Sequence, residues 1–305
     1  MSSSNATDTL RKIVVIANCH CLPLADILSL SVQGVQTDFI DVNFVNQPHM
    51  VEKVDALSHL ADHDFVFSFN LSDQFPTITT SVLRELLNTR LVVFSNIHFS
   101  GLHPDITYLG AMGKRVTGLF GDYHSKIVLV NFLAGKSTDE CLKSFNAKNY
   151  ESLGYFHAFD TASSELLRRD ENCDVRFADQ FLAMIKRQHC LHTINHPTGA
   201  VFYELSEALS KYAGLDFIKY GQGMMQNHLA SNYTWPIYNE IAEYHNLSYR
   251  TPPYFVRPNQ RMSRSISYKK FVDESYVAYS RLEPSELLEV VKNQPYYAHA
   301  LETLS

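Results

Sequence analysis

The sequence predicts an α/β fold: an open, mostly parallel sheet flanked by helices in three layers, with a helical elaboration of the C-terminal part. Three observations carry this. Short, strongly apolar runs recur in the first part of the chain, helical patterns fall between them, and beyond about residue 135 helices take over. Runs that are apolar on both faces suit a parallel sheet covered by helices. A β-α alternation joins such strands through right-handed crossovers.

In chain order, the strands expected are Lys12–Ala17, Thr37–Phe44, Asp64–Phe69, Leu91–Ser95 and Lys126–Phe132. Helices are expected between them at Leu22–Ser31, Met50–Ala61 and Ile78–Leu87, and later at Thr138–Phe145, Ala162–Arg169, Val175–Gln188, Ala200–Ala213 and Trp235–Glu243. The pattern is strongest at Ala200–Ala213. There Val201, Leu205, Ala208, Leu209 and Tyr212 form one apolar stripe, Thr198 can cap the start and Gly214 can end the helix. No repeat or long Pro/Gly/Ser linker interrupts the chain. Residues 1–10 read as a disordered polar tail, and 11–305 as a single α/β domain, helix-rich from about residue 135.

With 45% hydrophobic and 19% charged residues among 305, the chain has an ordinary globular composition. A net charge of -6 excludes binding to nucleic acid or membrane on bulk charge, so any anion site must rest on a local basic cluster. The start, MSSSNATDTLRK, lacks the apolar centre of a secretory signal, and no apolar run approaches the roughly 18 residues of a spanning helix. Five cysteines are an odd count in a long chain, which does not suit a disulfide framework. A reduced, cytoplasmic, soluble protein is expected.

The chemistry-bearing stretch is Ile13–Pro23, IVVIANCHCLP. In an open α/β sheet, ligands bind outside the carboxyl ends of the strands. Cys19 lies at such an end, just before a helix whose free N–H groups favour a thiolate and can hold an oxyanion. On that ground its pKa is expected below the usual value of about 8.5. The alternative is a buried small residue, since cysteine is among the most buried types. A nucleophilic cysteine also needs a base. His196 is the candidate, in His196-Pro197-Thr198 ahead of the capped helix, whereas His20 is expected to point away from its neighbour. The loop Ser95–Asp105, SNIHFSGLHPD, follows another strand end. Asn96 or the Gly101 backbone can supply oxyanion donors, and Asp105 can orient a base or cap the next turn.

Asn18-Cys19-His20 after a strand, Phe99-Ser100-Gly101-Leu102-His103-Pro104-Asp105 after a later one, and His196-Pro197 before a helix together resemble the WcbI family of capsular polysaccharide biosynthesis proteins. That family is similar in fold to SGNH-type hydrolases, binds coenzyme A and is taken to acetylate capsular polysaccharide. The resemblance implies Cys19 as nucleophile and His196 as base, with Asn18, Asn96, Gly101 and Asp105 in support. Thr193 stands three residues before His196, where an acid would complete a triad, so a Cys/His dyad is expected.

Coenzyme A carries a 3′-phosphate and a diphosphate. Thr251–Lys270 holds Arg257, Arg261, Arg264, Lys269 and Lys270 and no acid, and Arg suits phosphate through bidentate bonds. The cofactor contacts expected are His20, Tyr254, Arg257, Arg261, Arg264 and Lys269. The partners expected are acetyl-coenzyme A and a glycan acceptor, in a chain that can form a homo-oligomer. Competing readings are a thioesterase or carbohydrate esterase on the same scaffold, a non-catalytic coenzyme A-binding protein, and a zinc site. Cys19, His20, Cys21, His189, Cys190, His192 and His196 supply ligands for zinc, but no Cys-x-x-Cys hairpin presents two thiolates to one metal.

Overall fold

The computed structural model describes residues 10–45, 60–75, 78–111, 113–221, 228–231, 233–257 and 264–304. The chain forms two compact units, each assembled from separate stretches. The first comprises Met1–Ile97, Glu165–Ala183 and His196–Leu229, and the second His98–Ser164, Met184–Asn195 and Ala230–Ser305.

The first unit is built on a four-stranded parallel sheet. Strand β1 is Arg11–Ala17, helix α1 Cys21–Ser31, β2 Val35–Asp41, α2 Val42–Val45, β3 Phe65–Phe69, α3 Thr80–Leu87 and β4 Leu91–Phe94. The strand order is β2-β1-β3-β4, so β1 is an inner strand. Ile13–Ala17 of β1, Val66–Phe69 of β3 and all of β4 are buried, while β2 at the other edge is exposed or half-buried. Register places Ala17 beside Asp41, which sets Asp41 at the same sheet edge as the turn after β1. The far edge is closed by Asp174. Its carboxylate accepts from Val93 N–H at 2.7 Å and from Arg84 at 2.7 and 2.8 Å, and Val175 bridges to Phe94.

Helix Gly199–Tyr212 packs on α1, and Val201, Leu205 and Leu209 of its stripe are buried. Thr198 takes the N-cap position without a capping bond from its side chain, and Gly214 adopts φ +66 beyond the C-cap, as only glycine does cheaply. Tyr212, expected in the stripe, is 56% exposed instead.

The second unit is mainly helical and holds an aromatic core: Phe120, Trp235, Phe255 and Phe271 meet edge-on or stacked at centroid distances of 3.8–5.8 Å. Here the expected strand Lys126–Phe132 is a helix, Lys126–Leu133. Its run Ile127–Asn131 is buried all round, and a short continuous apolar run has no period to separate a buried strand from a buried helix. Ser125 decides it by accepting from Val128 N–H at 3.1 Å, a capping bond. Two other expectations shift. Phe44 leaves the strand because β2 ends at Asp41, and the helix expected from Trp235 begins at Asn239, since Pro236 disfavours helical backbone at Trp235. Met50–Ala61 lies outside the described residues except for Leu60 and Ala61, which are helical.

Candidate functional site

The turn after β1 is shaped by Asn18. Its Oδ1 accepts from His20 N–H at 3.1 Å and its carbonyl from Cys21 N–H at 2.9 Å, an Asx-type turn that lifts the chain off the strand and starts α1. Cys19 sits on this turn, partly buried, and its thiol lies 3.8 Å from Asn18 Oδ1. His20 is fully buried, edge-on to Phe69 and Phe202 at 5.5 and 5.2 Å. Complete burial speaks against direct contact between His20 and a cofactor.

The electrostatics of the turn differ from those expected at a helix start. Burial, with the Asp41 carboxylate adding to it, pushes the Cys19 thiol up to about 12. The expectation of a lowered pKa is therefore corrected: the resting group is a neutral thiol. Asp41 had no sequence signal of its own. It belongs here only because the register brings the end of β2 beside the end of β1. Its own carboxyl is raised by burial. His196 is largely buried too, and burial lowers it to about 4, so it rests as a neutral imidazole and a weak base.

Asn96, two residues beyond β4, has a buried Oδ1 with no hydrogen-bond partner among the described residues, while its carbonyl accepts from Arg169 at 3.1 Å. In the second unit, Gly101 is set by packing: a Cβ there would stand 2.7 Å from Phe159 Cα and from the Phe99 ring. Asp105 is fully buried and occupied. Oδ1 accepts from Tyr155 at 2.8 Å and from Ile127 N–H at 3.0 Å, and Oδ2 from Tyr238 at 2.7 Å. These bonds tie it to a helix start at Ile127 and to two tyrosines, and among the described residues neither a histidine nor the turn that follows it is a partner.

Arg257 and Arg264 are exposed on a two-stranded ribbon, Phe255–Arg257 with Arg264–Ile266. Tyr254 is 37% exposed beside it, and Lys269 pairs with Asp273 at 3.0 Å. Arg261 lies outside the described residues. The five cysteines are free thiols, and among the described residues no three His, Cys, Asp or Glu side chains gather as metal ligands. Nor, among those residues, is any helix long and apolar enough to cross a membrane.

An open parallel α/β protein with a cysteine turn at the carboxyl end of an inner strand is the class these features define. Within that class the chain belongs to the WcbI polysaccharide biosynthesis enzyme family, whose model matches residues 12–217. The match includes Cys19, Asn96, Gly101, Asp105 and His196, and ends before Tyr254–Lys269. A solved structure of WcbI, described as a novel polysaccharide biosynthesis enzyme, is similar over 97% of this chain and 99% of that one, with a TM-score of 0.74 and 15% identity. That structure is the native protein without a disulfide bond between coenzyme A and one of its cysteines. At 15% identity the likeness bears on the fold. No curated protein sequence matches the chain.

Proposed function

We propose that this polysaccharide biosynthesis enzyme is an acyltransferase of SGNH-like type, working in the cytoplasm, that moves an acetyl group from acetyl-coenzyme A to a hydroxyl of a capsular-type surface polysaccharide or its precursor. The observation that supports this reading most is Cys19 on the turn between an inner parallel strand and α1, inside the segment that matches the family. Coenzyme A named with a cysteine in the WcbI structure supports the donor.

Neutral His196 takes the Cys19 proton as the sulfur attacks the acetyl carbonyl. The oxyanion is held by the side-chain amide of Asn96, since Asn18 already takes the His20 and Cys21 N–H groups. Collapse breaks the bond to coenzyme A, whose sulfur takes the proton back from His196. In the second half, His196 takes the proton of the sugar hydroxyl as its oxygen attacks the thioester, and Cys19 leaves as a thiol. A base is needed at the instant of attack because the thiol pKa stands near 12. That same value favours a second route, in which the sugar hydroxyl attacks bound acetyl-coenzyme A directly with His196 as base.

The test is incubation with labelled acetyl-coenzyme A without acceptor, followed by mass measurement of the protein. An acetyl adduct on Cys19, with acyl transfer abolished in Cys19→Ala, is the result expected. Full transfer by Cys19→Ala would leave the direct route, and release of acetate whatever the acceptor would make the protein a thioesterase.

A further inference from the structure

We propose that a cleft in the second unit is a phosphate-binding site lined by Arg257 and Arg281, with Arg264 opposite Arg257 on the neighbouring strand, whose ligand joins a phosphate monoester or diphosphate to an apolar or planar body. Arg281 belongs to no basic run in the sequence. It follows the helix Tyr268–Tyr279, and the tertiary fold brings it to the same cleft as Arg257.

The cleft has a volume of about 440 Å³, within the roughly 300–1,000 Å³ of small-molecule sites. Leu119, Val277 and Ala278 give it an apolar lining, and Val277 is 51% exposed there. Strand pairing places Arg264 directly opposite Arg257. Side chains directly opposite in an antiparallel pair emerge on the same face, and like charges so placed repel. Two acids, Asp273 and Glu274, line the cleft with the arginines, but each is paired with a lysine of its own helix. Asp273 pairs with Lys269 at 3.0 Å and Glu274 with Lys270 at 3.6 Å. None of the three guanidiniums has a hydrogen bond or ion pair with a described residue.

Two arginines on the wall of the cleft and a third beside them, none in an ion pair with a described residue, are therefore left for an anion from solution. Arginine is the cation whose planar fork matches phosphate oxygens in pairs. An inorganic anion would use the guanidiniums and waste the wall, whereas a nucleotide or other phosphorylated body uses both. Two sources share that chemistry: the phosphates of coenzyme A, and a phosphorylated or nucleotide-linked sugar. The site stands on its own whether or not acetyl-coenzyme A is the donor.

The test measures binding of coenzyme A, dephospho-coenzyme A and a nucleoside diphosphate to the full chain and to its R257Q, R264Q and R281Q variants. All three positions are exposed, so the variants keep their fold, and an unchanged melting temperature without ligand checks this. At least one phosphorylated probe should bind the unaltered chain, and R281Q and R257Q should each weaken it about tenfold or more, as loss of a charge-assisted bond implies. A loss seen with coenzyme A and absent with dephospho-coenzyme A assigns the cleft to the 3′-phosphate. A loss confined to the nucleoside diphosphate assigns it to the sugar-linked source. Coenzyme A bound equally well by all three variants, with no arginine-dependent binding of the nucleoside diphosphate, overturns the site and leaves the acyl donor untouched. So does failure of every probe to bind at millimolar concentration, a result that also counts against the donor.

Discussion

Two buried polar centres, one in each unit, are in opposite states. Asp105 has both oxygens occupied by two tyrosine hydroxyls and a helix N–H. The strand ends of the first unit carry Cys19 with a 3.8 Å contact, the raised carboxyl of Asp41 and, beyond β4, a buried Asn96 Oδ1 without a hydrogen-bond partner among the described residues. Buried polar groups are normally satisfied, because leaving one unmade costs more than making it gains. A saturated centre is fixed to its own fold. An unsaturated one has bonding capacity in reserve, and active sites keep such capacity for a substrate.

The sharpest way to break this comparison is Asp105→Ala. It leaves two hydroxyls and an N–H without their acceptor, and each such loss costs about 1–3 kcal/mol. The variant should lose about 3 kcal/mol or more in urea unfolding, with Asp105→Asn milder. A loss below about 1 kcal/mol would mean that the saturated centre is not structural.

Acid should separate the buried histidines next. His103 Nε2 donates to the Trp235 carbonyl at 3.0 Å, and burial, with His189 and His192 adding to it, lowers its pKa from about 6.5 to about 3. Between those values the unfolded chain takes up a proton that the folded chain refuses. Stability is therefore fully present above about pH 6.5 and falls as pH drops toward 3. His103→Gln should flatten that slope, read as urea midpoints against pH. An unchanged slope would assign acid sensitivity to other groups.

At the strand-end turn, Cys19→Ala should cost about 1 kcal/mol or less, because it removes one small side chain whose thiol has only a long hydrogen bond. A larger loss would make Cys19 a packing residue. The smallest effect expected is electrostatic. Iodoacetamide should label Cys19 slowly near neutral pH in the unliganded protein, since its pKa stands near 12. Asp41→Asn should speed labelling about threefold or more by removing the neighbouring charge. Equal rates would leave burial alone as the cause.

Most of the first unit was legible. Ile13–Ala17, Phe65–Phe69 and Leu91–Phe94 are strands because a fully covered parallel strand must be apolar on both faces, and that leaves a mark in the sequence. The helix Gly199–Tyr212 carried its own period and its own Gly214 stop. The second unit was harder. Ile127–Val130 within Lys126–Leu133 is apolar all round, so only the cap, Ser125, distinguishes helix from strand. The positions of Cys19 and His196 at element starts were readable, but their charge states were not. A helix N-terminus was visible in sequence, and the burial and the carboxylate that outweigh it were not.

The sequence by itself determined the parallel sheet, the cysteine turn that closes an inner strand and the loops that follow the other strands, because hydrophobic period and turn chemistry are local. The tertiary structure alone decided that Asp41 stands beside Cys19, that Asp105 is bound by Tyr155 and Tyr238, and that Arg281 meets Arg257 across a cleft. Each of these joins residues 22 to 133 positions apart. Electrostatics and burial depend on distance in space, which no local pattern in the chain records.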